Sequence, residues 1–212
     1  MDGLTKVIKL LGNKVLEKAC FETIKVQNGK LLNLKYHQQR VDYTREFLGF
    51  NERLELKEDS FDLPQLGEFR LRVDYYEDIK SSTCKALTCR TFKEFKIVES
   101  DISYGYKYSN REKLDYLKVD EKEIIIVKDG LLTDTTIANI ALHVNGIWFT
   151  PRVPLLKGTT RARLIDEGFL RCEDLSIKDL EIAQKFAIMN ALNDFIVVKA
   201  KIELGFNSTI QK

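Results

Sequence analysis

The chain has 212 residues, 44% of them hydrophobic, and its 34 basic and 32 acidic side chains leave a net charge of +2. That is enough apolar material for one large or two modest domains with a real core. No apolar run is long enough to span a membrane as a helix, and Met1 to Lys9 carries no cleavable apolar leader, so a soluble cytoplasmic protein is expected. The basic residues are dispersed among acids, as at Lys93, Lys96, Lys107, Lys113 and Lys118, which gives no support to nucleic-acid or membrane-surface binding. Cys20, Cys84, Cys89 and Cys172, with His37 and His143 far apart, form neither a CxxC pair nor a disulfide or zinc framework.

Residues 14–33 read as a strand pair, Ala19 to Val26 and Leu31 to Leu34, turned at Asn28-Gly29. Tyr36 to Leu48 is expected to be helical. After a polar stretch with Asp59, Ser60 and Pro64, the run Phe69 to Tyr75 alternates, with Phe69, Leu71 and Val73 on one face and Arg70, Arg72 and Asp74 on the other. A turn-like segment from Tyr75 to Thr83 leads into more strand-like sequence through Val98, and the polar, tyrosine-rich Glu99 to Asn110 reads as a linker or an approach to a site. The division between domains is placed there, giving 1–102 and 103–212. A helix is expected over Arg111 to Lys118, a strand over Glu123 to Val127, a turn at Asp129-Gly130, a strand over Ile137 to His143 and a further hairpin at Asn145-Gly146. Pro151 and Pro154 bracket a loop that ends at Lys157 to Thr160. Helices follow over Arg161 to Glu167, closed by Gly168, and over Ile177 to Phe186, before the strand Phe195 to Val198. The pattern is that of an α+β chain with two sheet-bearing halves.

Taken singly, the polar residues of these segments are unremarkable. Lys107 would be a solvated lysine, Asp134 a turn residue, Arg40 a surface helix residue and Leu156 a core leucine. Their order carries more information: Phe21-Glu-Thr with Asn28-Gly29, Tyr36-His-Gln-Gln-Arg40, Lys107-x-x-Asn110-Arg111, Gly130-Leu-Leu-Thr-Asp134 with Asn139, Thr150-Pro151, Leu156-Lys-Gly-Thr-Thr-Arg161, and Asn190-Ala191. This set, spread from about Cys20 to about Ala191, resembles the class IV aminotransferases, the fold type IV enzymes of pyridoxal 5′-phosphate (PLP). The family includes branched-chain and D-amino-acid transaminases and aminodeoxychorismate lyase. The Lys-x-x-Asn-Arg form at Lys107 and the Thr-Asp-x-x-x-Ala-Asn form at Thr133 to Asn139 look most like the lyase.

The resemblance implies a two-domain fold with the cofactor in the cleft between domains, and a homodimer acting on a small-molecule amine. It makes Lys107 the Schiff-base lysine and catalytic base, with Lys113 the competitor that falls inside the following helix. A lysine works there near neutral pH only if its ammonium form is disfavoured by burial or by neighbouring cations. Asp134 stands where the family has a glutamate that keeps the pyridine nitrogen protonated. Arg40 and the backbone of Thr159 and Thr160 stand at the phosphate, which needs a cation and oriented N–H donors. Leu156 packs on the ring, and Asn190 is a second polar element near the phosphate. Arg72 is the expected partner of a substrate carboxylate, with Arg70 the alternative and paired solvated arginines the plainer reading, and His37 is expected to support Arg40. No metal is expected. The implied activity is that of aminodeoxychorismate lyase, in folate synthesis, with a branched-chain or D-amino-acid transaminase and a non-catalytic PLP-binding relative as alternatives. The stretch before Phe21 is shorter than the family's usual opening strands, so substrate preferences of other members do not transfer through it.

Overall fold

Three Asx-Gly dipeptides set the hairpins. The computed structural model describes residues 18–203 apart from 89, 90, 93, 119–121 and 200. In it Asn28 and Gly29 (φ 50° and 77°), Asp129 and Gly130 (51° and 77°), and Asn145 and Gly146 (51° and 83°) all have left-handed backbone. Two such residues in succession give the turn whose twist matches that of the strands it joins. Residues 14–17, read as the start of the first strand, and Cys89 lie outside the described residues.

The first turn joins β1 (Cys20–Gln27) to the short β2 (Lys30–Leu31). With β3 (Glu68–Tyr75) and β4 (Ile79–Ala86) they form a four-stranded sheet in the order β2-β1-β3-β4. Ile24, Val26, Leu71, Val73 and Tyr75 are buried in one cluster with Val41 of helix α1 (Leu34–Phe47). The alternation expected for Phe69 to Tyr75 is observed, with Arg70, Arg72 and Asp74 on the face away from Leu71 and Val73. Helix α1 buries His37, Gln38, Arg40, Val41, Thr44 and Arg45, a stripe at helical spacing that is mostly polar.

Two compact units divide the chain, the first ending at Leu87 and taking back Tyr106–Arg111, the second comprising Thr88–Gly105 and the chain from Glu112 onward. A boundary at 102/103 puts Lys107 with the second half, whereas its contacts belong to the first. The physical reason is backbone pairing: Phe21 N–H donates to Lys107 O at 2.9 Å, Ser109 N–H donates to Ala19 O at 2.7 Å, and Cys20 bridges Tyr108. β3 pairs along the whole of β1, whereas β2 reaches only Val26 and Gln27, and the lysine segment takes the far end of that second edge, at Ala19 to Phe21.

In the second unit β5 (Glu94–Glu99), β6 (Glu123–Lys128), β7 (Leu131–Thr135), β8 (Asn139–Val144), β9 (Ile147–Pro151), β10 (Leu170–Glu173), β11 (Lys185–Asn190), β12 (Asp194–Val198) and β13 (Lys201–Glu203) form a nine-stranded sheet. Its path runs β10-β9-β8-β7-β6-β5-β13, with β11 paired to β8 and β12. The helices are α2 (Glu112–Asp115), a single turn where Arg111 to Lys118 is the expected span, α3 (Thr159–Asp166) and α4 (Ile177–Ile182). Helix α4 starts at a Ser176/Asp179 capping box and stops at Ala183, so the expected continuation to Phe186 is corrected: Lys185–Asn190 is strand β11. Phe186 and Ile188 pack into one core and Ala187 and Met189 into another. A strand buried on both faces shows no alternation to distinguish it from a helix.

Gly146 has no neighbour within 4 Å of an added Cβ, whereas one on Gly29 would meet the Gln65 side chain. Gly146→Ala should therefore cost about 1 kcal/mol from backbone strain alone, and Gly29→Ala measurably more, as read by urea unfolding. Equal costs would mean that Gln65 moves aside freely.

Candidate active site

A charged residue at a core-facing strand position must find a partner, and Glu22 occupies such a position, in phase with Ile24 and Val26 of β1. His37 and Arg40, three residues apart on the buried face of α1, both reach it. Arg40 donates through Nε to Oε1 at 2.8 Å and through Nη2 to Oε2 at 2.5 Å, and His37 Nδ1 lies 2.6 Å from Oε2. Burial opposes ionisation of Glu22, but the Arg40 charge and the His37 contact outweigh it and hold the carboxyl at about 2. Burial also pushes the His37 imidazole below its usual value, against the pull of Glu22. Neutral His37 facing an ionised carboxylate carries its proton on Nδ1, which leaves the buried Nε2 as an acceptor with no partner among the described residues.

Lys107 stands beside this group. Burial of its ammonium, then the Arg40 charge, push it from 10.5 down to about 7, with Arg111 and Arg72 adding to the effect and Glu22 opposing it. Its Nζ is 4.6 Å from the centroid of the Phe21 ring. On the same ring lies the Arg72 guanidinium, at 3.9 Å, paired side-on with Asp74 (Nε to Oδ2 2.7 Å, Nη2 to Oδ1 2.5 Å). Lys113 lies in α2, as the spacing predicts.

Asp134 of β7 is 3% exposed. It accepts from Asn139 Nδ2 (2.7 Å) and from the Leu156 backbone N–H (2.7 Å), while Asn139 also donates to Leu156 O (2.8 Å). These bonds and the Arg161 charge favour the ionised form, but burial dominates and raises the carboxyl to about 7. Two residues past Leu156, Gly158 caps α3, and a Cβ there would collide with Asn139 Oδ1. Thr159 and Thr160 form the first turn of α3, whose N–H groups have no intrahelical carbonyl to reach, and Thr160 Oγ1 is buried without a partner among the described residues. Arg161 is anchored to Pro151 O (2.7 Å) and Thr150 Oγ1 (3.3 Å).

Arg40, Lys107 and Arg72 are thus gathered in the first unit, and Asp134, Leu156, Thr159 and Thr160 in the second. Leu156 meets Asp134 and Asn139 through its backbone. Asn190 makes the bonds of a hairpin turn, accepting from Leu192 and Asn193 N–H and donating to Ile137 O. Glu22, Asn139 and Asp74 had no assigned role from the sequence. For Glu22 and Asp74 a signal existed, an acid on the core face of one strand and an acid beside Arg72 on the polar face of another. For Asn139 the signal was its place in the Thr-Asp-x-x-x-Ala-Asn motif, and the fold adds its bond to Asp134.

The sequence pattern of the family Amino-transferase class IV matches residues 109–200. A candidate aminodeoxychorismate lyase of Schizosaccharomyces pombe is 36% identical over 184 residues, covering 74% of this chain and 78% of its own. The crystal structure of a candidate 4-amino-4-deoxychorismate lyase from Haemophilus somnus superposes with a TM-score of 0.73 at 30% identity, over 82% of this chain and 96% of that one. A fold IV transaminase of Curtobacterium pusillum gives 0.69 at 17% identity, over 93% and 82%, a likeness of fold. The chain belongs to the class IV aminotransferase family.

The two buried carboxyls make opposite predictions about acid. Glu22, at about 2 folded and 4.5 ordinarily, contributes stability that is complete above the ordinary value and is lost as pH falls towards 2. Glu22→Gln should cost about 3 kcal/mol near neutrality by leaving Arg40 buried without its carboxylate, with the deficit shrinking below pH 4.5. Asp134, at about 7 folded and 3.8 ordinarily, is the reverse: its ionisation penalty grows as pH rises between those values. Thermal unfolding of the cofactor-free protein should show Asp134→Asn gaining on the natural chain over that range. A difference that does not vary with pH would contradict the burial of an unpaired carboxyl.

Proposed function

We propose that the protein is a PLP-dependent lyase that converts 4-amino-4-deoxychorismate to 4-aminobenzoate and pyruvate. The observation that carries this reading is Lys107: a lysine pushed to about 7 by burial and by Arg40 presents a neutral amine at physiological pH. The family to which the chain belongs uses PLP, and the names of its lyase relatives support the choice of reaction.

The residues fit the cofactor's chemistry. Bound PLP supplies an aldehyde that condenses with amines and a protonated pyridine ring that withdraws electrons from the adjacent carbon. Asp134 is a buried acid with neutral donors and no salt-bridge cation among the described residues, so a pyridinium N–H would supply the charge that stabilises its ionised form. Gly158, with Asn139 in the space of its Cβ, and the first-turn N–H groups of Thr159 and Thr160 suit a phosphate. In the first unit Arg40, oriented by Glu22, is a cation of the kind a phosphate needs, and in the second Leu156 offers an apolar side chain.

In this reading Lys107 Nζ would hold the cofactor, and its free amine would take the proton from the substrate ring carbon and return one to the departing enolpyruvyl carbon. The ring becomes aromatic, which drives the elimination. Arg72 receives a substrate carboxylate, and the working form is a homodimer.

Borohydride reduction of the PLP-loaded protein followed by peptide mapping should label Lys107, and Lys107→Ala should abolish the label while Lys113→Ala keeps it. Pyruvate and 4-aminobenzoate should then appear in equal amounts without any added amino acceptor. Label on another lysine would overturn the assignment, and product formation only with an oxo-acid acceptor would make the protein a transaminase.

A further inference from the structure

The parity of β1 sends Phe21 to the face opposite Glu22, and the sheet register sets Phe21 against Asp74 and Thr23 against Arg72. The Phe21 ring therefore carries two cations, Arg72 at 3.9 Å and Lys107 Nζ at 4.6 Å from its centroid. The aromatic face attracts both, and they cannot be further apart than the two legs of that triangle. Like charges so placed repel, and Asp74 offsets this by pairing with Arg72. Asp74 also accepts from Ser109 Oγ at 3.0 Å, and Ser109 is two residues beyond Lys107 on the same β1-paired segment. Burial works against the Asp74 charge, but Arg72 and Ser109 outweigh it and keep the carboxylate ionised near neutrality.

The pairing uses the Nε and Nη2 edge of Arg72, which turns the Nη1 edge of the planar fork away from Asp74. The side chain keeps 28% of its surface exposed. We propose that the Arg72–Asp74 pair sets the protonation of Lys107 and couples it to the binding of a substrate carboxylate at Arg72. The proposal rests on the reading that Lys107 is the reactive lysine. With Arg72 unneutralised by ligand, its charge favours the neutral amine of Lys107. A carboxylate on the Nη1 edge adds a negative charge, and the amine becomes more basic when a proton must be taken from the substrate.

The other charged or titratable groups facing Lys107 are Arg40 and His37 of α1, Glu22 of β1 and Arg111 of its own segment. They are unchanged by an anion at Arg72, so the effect belongs to this pair. At such separations and an effective dielectric near 20, one unit charge moves a neighbouring titration by roughly one pH unit.

The test is the Lys107 titration midpoint in the cofactor-free protein, read by competitive acetylation across pH with peptide mass analysis. Arg72→Met should raise the midpoint by roughly one unit, Arg72→Lys should leave it near that of the natural chain, and Asp74→Asn should lower it. Opposite signs for Arg72→Met and Asp74→Asn are the signature of charge, since loosening of the sheet would move both the same way. In the PLP-loaded protein, the absorbance midpoint of the lysine–cofactor linkage should rise with benzoate, stay fixed with neutral benzamide, and fail to respond to benzoate in Arg72→Met. Shifts of the same sign in the two variants, no shifts, or an undiminished benzoate response in Arg72→Met would overturn the coupling. Absence of any linkage at Lys107 would instead overturn the functional reading, while the cofactor-free midpoints would still decide the coupling.

Discussion

An alkyl ammonium in water loses its proton well above neutral pH, and while protonated it can neither attack a carbonyl nor accept a proton. Everything proposed for this protein depends on removing that obstacle at one residue. Lys107 is held half-buried and beside the Arg40 charge by two backbone hydrogen bonds, Phe21 N–H to Lys107 O and Ser109 N–H to Ala19 O, made along an edge of β1 that β2 leaves open. The shortness of β2 is therefore part of the site. A longer second strand would occupy the edge and exclude the lysine segment.

Around this position the charges are arranged in pairs. Arg40 would lose its bidentate carboxylate without Glu22, and Arg72 would repel Lys107 more strongly without Asp74. In each case a carboxylate fixes an arginine without contacting the lysine through any hydrogen bond described here. Asp134 differs in kind. It has neutral donors but no salt-bridge partner among the described residues, and burial holds it at about 7, the state in which a buried acid responds most to an arriving positive charge. The first unit's two carboxylates each face an arginine, whereas the second unit's faces neutral donors.

Much of this was legible in the sequence, for identifiable reasons. The three Asx-Gly turns, the Phe69 to Tyr75 alternation and the strand at Glu123 appear because turn chemistry and period-2 patterning are local. Lys107, Arg40 and Asp134 were reached through the order of motifs, since no local property separates them from solvated neighbours. Three features were not legible. The return of Tyr106–Arg111 to the first unit is a long-range pairing with no mark in the segment itself. Strand β11, covered on both faces, lacks the alternation that separates it from helix α4. The bidentate lock of Arg72 on Asp74 is compatible with the i, i+2 spacing, yet that spacing alone equally permits two solvated side chains.

The central claim is that the fold itself, before any cofactor arrives, makes the Lys107 amine available. Nitrogen NMR of the cofactor-free protein labelled at lysine Nζ, with the Lys107 signal assigned by its loss in Lys107→Arg, measures this directly as a titration midpoint. A midpoint near 7 is the result expected from burial and the Arg40 charge. A midpoint near the ordinary 10.5 would mean that water reaches the ammonium and that the buried cluster does not prepare this lysine for chemistry.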